Sequence, residues 1–279
     1  MARSQKLRLE FLIIDPQNSF CHPTEGELFV PGAEKDAERL AQLIERILLD
    51  IDDIHVTLDT HHELDVAHPI FWVDRNGEHP APFTPISKDD VVNGVWKPFD
   101  PELLCPPYKT LLDRMIEYVT KLEENGRYQL TIWPPHCRIG TPGHNVVEAL
   151  REALRKWELS RYAMIDYIAK GSNIFTEHYS GVEADVPDSD DLSTQLNTKL
   201  IRTLEKADVV VFGGEASSHC VANTVRDIVK HFDEETIRKC VLLEDAMSPV
   251  SGFEQFADEF FQEMIGKGMQ ATTTESFTL

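Results

Sequence analysis

Cys220 stands in the segment GGEASSHCVANT (213–224), after the apolar run VVVF and at the start of the helix-like CVANTVRDIVKHFD. A cysteine at the first turn of a helix meets unpaired N–H groups and the positive end of the dipole, and both favour a thiolate. A thiolate attacks carbonyl carbon well and a protonated thiol does not. Gly213, Gly214, Ala216 and Ser217 are small enough for a tight strand-to-helix turn, which can aim backbone N–H groups at a developing oxyanion. Such a nucleophile needs a proton acceptor and an electrostatic partner. Asp15 closes the apolar run LEFLII, and Lys170 closes YAMIDYIA. The lysine's charge would hold Asp15 ionised and favour the thiolate. Aspartate, lysine and cysteine together suit a base, a cation and a nucleophile. Taken singly, each has a plainer reading as a turn aspartate, a snorkelling lysine or an inert buried thiol.

A second group is Asp59, His61 and His136, in DTHH (59–62) and WPPHC (133–137). A D-x-H pair at a strand end sends both side chains to one face, because strand side chains alternate. His136, at what reads as a neighbouring strand end, would close a three-ligand site. Two imidazoles and a carboxylate suit one divalent ion, zinc first, with iron or manganese also compatible, and leave positions for water or substrate. His62 and His68 could supplement them.

Something must carry these residues to one place. Short apolar runs recur at 9–15, 54–59, 128–133, 162–169, 207–214 and 239–246. Most are nearly continuous in apolar residues, as strands buried on both faces are. Helix-like segments lie between them, and a last one, SGFEQFADEFFQEMIGKG, follows the final run. The alternation predicts an α/β fold: three layers, α/β/α, around a mostly parallel sheet of about six strands. Ligands of such sheets bind beyond the carboxyl ends of the strands, where these polar residues fall. The whole chain, 1–279, reads as one domain. Residues 69–108 interrupt the rhythm with eight of the sixteen prolines. Phe71, Trp72, Phe83, Trp96 and Phe99 argue that this excursion is ordered, over a cleft or against a partner subunit.

The formal net charge is -21, which repels nucleic acid and anionic lipid. No apolar run reaches the length of a membrane span, and the basic start MARSQK is followed by too short an apolar stretch for a signal peptide. Five scattered cysteines do not form a disulfide framework. These features predict a cytoplasmic protein with no nucleic-acid or membrane partner.

Taken together, DPQNSF (15–20), DTHH, WPPHCRIGTPG (133–143), KGSNIFTEHYSG (170–181) and GGEASSHCVANT resemble, in order, the motifs of the isochorismatase-like cysteine hydrolases and, within them, the nicotinamidases. The resemblance covers residues 9 to about 274, and the tryptophan-to-glycine run is its most specific part. It departs from the family pattern in the length of the proline-rich excursion, in Val182, and in Glu215 and Ser218. The resemblance implies an amidohydrolase that deamidates nicotinamide to nicotinate and ammonia through a thioester. Asp15, Lys170 and Cys220 would be the triad. The N–H groups of Ala216 and Cys220, after a non-proline cis bond between Glu215 and Ala216, would form the oxyanion hole. Phe20, Trp133 and Tyr179 would bind substrate, and Asp59, His61 and His136, with His68 as a fourth, would hold the metal. A homo-oligomer is also implied. Two alternatives stand beside this: another small amide or ureido substrate, or a non-catalytic metal- or partner-binding protein on the same scaffold.

Overall fold

A computed structural model describes residues 7–126 and 128–279. The basic start at residues 1–6, which bears on the signal-peptide reading, lies outside the described residues. Six strands form a parallel sheet: β1 (Leu9–Ile14), β2 (Ile51–Asp59), β3 (Asp166–Lys170), β4 (Val209–Gly214), β5 (Cys240–Leu243) and β6 (Gln270–Thr272). Their order is β6-β5-β4-β1-β2-β3, with β1 at the centre. Its six residues are all buried, as a strand covered on both faces requires.

Side-chain alternation along β1 divides the core into two layers. Leu9, Phe11 and Ile13 pack with α1 (Ala33–Arg46) and with a helix at Glu148–Arg161. Helix α1 offers Ala37, Leu40, Ala41 and Ile44 at three- and four-residue spacing, the stripe that one helical face needs. Leu12 and Ile14 point the other way. They join the layer holding α2 (Leu111–Asn125), α4 (Thr198–Glu205), α5 (Cys220–Val229) and α6 (Glu254–Gly266), the helix at Glu148–Arg161 being α3. The predicted three-layer α/β/α architecture is therefore the observed one. Helix α2 starts on a reciprocal Thr110–Asp113 capping box and stops at Gly126 in the left-handed region. Among the described residues, no helix is long and apolar enough to cross a membrane.

One strand assignment is corrected. The run YQLTIW is not a strand of the central sheet. Only Leu130–Thr131 is extended, paired antiparallel with Pro85–Ile86 from the proline-rich excursion. The sixth strand is β6, at the carboxyl end of the chain. The excursion is built from short pieces, including a helix at Lys88–Val92 and a two-strand pairing of Trp72–Val73 with Lys97–Pro98. Phe71 and Trp72 are buried in the second core layer, whereas Phe83 and Phe99 are exposed.

Candidate active site

The carboxyl ends of β1, β2, β3 and β4 meet around one small pocket. Its wall includes Phe20, Asp59, Trp133, Glu177, His219 and Cys220, and its volume is about 30 Å³.

Against two of these wall residues, Asp59 and Cys220, packs Lys170, which is 2 % exposed. Its Nζ lies 3.0 Å from Asp15 Oδ2, 2.9 Å from Asp59 Oδ1 and 3.6 Å from Cys220 Sγ, and donates to His178 O at 2.9 Å. The close approach of β3 to β2 depends on Gly171, where a Cβ would stand 2.9 Å from Asp59 Oδ1 at a φ of +79°. Burial opposes the lysine's charge, but Asp15, Asp59 and Cys220 outweigh it and hold its pKa well above the usual range. It is a fixed cation. Asp15 adopts a left-handed φ of 45°, so the chain turns where β1 ends. Its N–H donates to Thr57 O and Oγ1, and the Thr57 hydroxyl donates back to Oδ1 at 2.6 Å. Burial raises the Asp15 pKa and Lys170 works against that rise. The result is a carboxyl able to take up and give back a proton. Gln17 clamps the two strand ends: Nε2 donates to Asp59 O and Oε1 accepts from Asp59 N.

Cys220 sits at the first residue of α5, as its sequence implied. The expected thiolate bias does not hold in the resting site. Burial pushes the thiol well above its ordinary pKa, although Lys170 pulls the other way. Desolvation outweighs the helix end, so the sulfur rests as a thiol and needs a base. The Glu215–Ala216 bond is cis. Just before it, Gly214 passes β1 so closely that a Cβ would meet Ile14 O at 2.0 Å. Among the described residues, neither the Ala216 nor the Cys220 N–H donates a backbone hydrogen bond outside regular helix and strand ladders.

Across the pocket, the ring nitrogens of His61, His68 and His136 offer three donors within 4.8 Å of one another. Asp59 Oδ2 lies 3.0 Å from His61 Nε2 and 3.2 Å from His136 Nε2. The opposite ring nitrogens are held from behind: His61 Nδ1 by Asp65 Oδ2 at 2.8 Å, and His136 Nδ1 by Pro134 O at 2.8 Å. This is how metal-binding histidines are oriented. His68 is wholly buried, and neither of its ring nitrogens has a hydrogen-bond partner. Burial, with His136 and His61 nearby, keeps it neutral. Burial disfavours a charged His61, yet Asp59 and Asp65 raise its pKa well above normal. An orphaned neutral imidazole beside two oriented ones and a carboxylate fits a divalent cation. His136 does not reach the cluster from the end of a sheet strand. Its loop is tied to β2 by His61 N to Cys137 O (3.1 Å) and Ile139 N to His61 O (3.0 Å), and to the 18–21 turn by Cys137 N to Ser19 Oγ (2.8 Å).

Phe20 and Trp133 both line the pocket, and Trp133 Nε1 donates to Tyr179 Oη at 2.8 Å. His62, weighed as a supplementary ligand, stays outside the histidine cluster.

The chain is similar to many solved structures over nearly its whole length, among them these three. The yeast nicotinamidase bound to the inhibitor nicotinaldehyde shares 18% identity at a TM-score of 0.64, covering 95% of this chain and 99% of that one. Acinetobacter baumanii nicotinamidase pyrazinamidase shares 19% at 0.60, covering 98% and 99%. Pyrococcus horikoshii pyrazinamidase in complex with zinc shares 19% at 0.56, covering 95% and 99%. The chain shares the three-layer α/β fold of these structures. No family model and no curated protein matches it.

Within this fold, all residues named from the sequence for the triad and the histidine cluster converge. Four contributors were not anticipated. Thr57 and Asp65 hold Asp15 and His61, while Glu177 and His219 line the pocket. Glu177 Oε1 accepts from His178 N at 2.9 Å, while Oε2 has no hydrogen-bond partner. Burial pushes its pKa up to about 8. The spacing His61-x-x-x-Asp65 and the acid seven residues after Lys170 were the available signals.

Proposed function

We propose that the chain is a metal-dependent cysteine amidohydrolase that deamidates nicotinamide to nicotinate and ammonia. One observation carries the reading: Lys170 Nζ stands within 3.6 Å of both the Asp15 carboxylate and the Cys220 sulfur, beside the three-histidine cluster. The likeness to nicotinamidases and pyrazinamidases supports the substrate class.

Asp15 takes the proton of the Cys220 thiol, whose raised pKa makes that base necessary. The sulfur attacks the amide carbon and an S–C bond forms. The oxyanion accepts hydrogen bonds from the Ala216 and Cys220 N–H groups, with the Lys170 cation close by. Asp15 returns its proton to the nitrogen as the C–N bond breaks and ammonia leaves. Water, deprotonated by Asp15, then cleaves the thioester and releases nicotinate. Phe20 and Trp133 hold the ring, and Tyr179 fixes the Trp133 indole. Asp59, His61, His136 and His68 would hold a divalent ion, with zinc suggested by the donor set and by the zinc complex of the Pyrococcus protein; bound there, the ion would supply a Lewis acid able to orient the substrate ring. We read residues 1–279 as one hydrolase unit, acting in the cytoplasm as a homo-oligomer and returning nicotinamide to pyridine-nucleotide synthesis. The five free cysteines agree with a reducing compartment.

The test is ammonia release from nicotinamide by the purified protein, together with metal analysis. Turnover with about one ion per chain supports the reading; a metal-loaded protein that releases no ammonia overturns it.

A further inference from the structure

The pocket wall beside the nucleophile carries a polar atom that the chemistry above does not use. His219 is 4 % exposed and lines the pocket next to Cys220, Ala216 and Trp133. Its ring stacks on Tyr128 at 5.1 Å and meets Trp133 and Phe253 edge-on. Burial pushes its pKa down to about 3, so the ring is neutral and has a single N–H.

The neighbours fix which nitrogen bears it. Val250 N–H donates to Ser218 Oγ at 3.1 Å, and the same oxygen lies 2.9 Å from His219 Nδ1. The Ser218 hydroxyl hydrogen has no other acceptor among the described residues. It therefore donates to Nδ1, which puts the ring proton on Nε2. Nε2 has no hydrogen-bond partner among the described residues. This neutral donor belongs to a wall that combines the apolar Phe20, Leu28, Trp133 and Val250 with the polar Asp59, His136, Glu177 and Tyr179.

We propose that the Nε2–H of His219 is a specificity-determining donor, favouring planar amides that carry a second ring acceptor and penalising those that present carbon to it. The proposal rests on the amidohydrolase reading and adds a preference within it. A site built around a buried donor rejects analogues that leave it unpaired.

The experiment compares nicotinamide with pyrazine-2-, pyrimidine-5- and pyridazine-4-carboxamide. Together these place the extra nitrogen at each kind of ring position relative to the amide. Ammonia release is followed for the wild type, His219→Phe and His219→Gln. Phenylalanine keeps the stack on Tyr128 and removes the donor; glutamine returns an N–H. For at least one diazine amide, kcat/KM relative to nicotinamide should fall about five- to tenfold in the Phe variant, mainly through KM, and recover in the Gln variant. All three ratios unchanged within twofold would overturn the proposal. Should the Phe variant not fold, His219→Met takes its place. Should the wild type release ammonia from no amide, the amidohydrolase reading fails, and calorimetric binding of the same amides to the same variants decides the His219 proposal separately.

Discussion

Strands β1, β2 and β3 carry a polar cluster at both ends, half-open to solvent at Asp166 on one and buried on the other, and the two clusters behave differently. At the amino end, Glu10, His55 and Asp166 meet. His55 Nδ1 lies 2.9 Å from Asp166 and Nε2 3.4 Å from Glu10, whose other oxygen takes Arg8 Nε at 2.6 Å. Every ring nitrogen and both Glu10 oxygens have partners. At the carboxyl end, Asp15, Asp59 and Lys170 meet on the same strands. There the cation also reaches a thiol, and a histidine with two unpartnered nitrogens stands nearby. Burying charge is common to both ends. What separates them is hydrogen-bonding capacity left open beside a cavity, and that marks the end where a ligand can act.

The largest effect should come from Cys220→Ala. Ammonia release should fall at least about a thousandfold, while metal content and thermal unfolding stay near wild type. Retained turnover would make the carboxyl-end cluster as structural as the other. Asp65→Ala comes next. It frees His61 Nδ1, and metal affinity, measured by competition with a chelator, should drop about 10- to 100-fold. An unchanged affinity would mean that the histidines are not held for an ion.

His55→Gln should have the smallest effect and only on stability. It should lose about 1–3 kcal/mol in urea unfolding, because Glu10 is left short of a partner in the core, with kcat/KM within twofold. Burial opposes the His55 cation, but hydrogen bonds to Glu10 and Asp166 win and raise its pKa. A raised folded-state value means that the wild-type advantage is complete below about pH 6.5 and fades as pH climbs through the raised value. An advantage that grows with pH would break the assignment.

The sequence displayed the sheet because parallel strands buried on both faces leave continuous apolar runs. It misassigned YQLTIW because such a run looks the same whether it joins the main sheet or a two-residue pairing with the proline-rich excursion. It passed over β6, QAT, which is short and only half-buried. The motif residues were legible from their types and strand-end positions. Their supports were not. Thr57 is an ordinary strand threonine until the turn at Asp15 brings a carboxylate to it. Nothing local in SSHC tells that His219 faces the pocket. The thiolate expectation failed for a related reason: the helix end is visible in the sequence, and the depth of burial that overrides it is not.

The pocket's 30 Å³ has room for about one water molecule. A six-membered ring with its amide is larger than that space, so its binding moves side chains of the wall. The aromatic side of the wall is a connected set of rings, Trp133 against Tyr179 and His219, and His219 against Phe253 and Tyr128. A shift of one ring is passed to its neighbours, so the shape of the recess and the packing behind it are a single property.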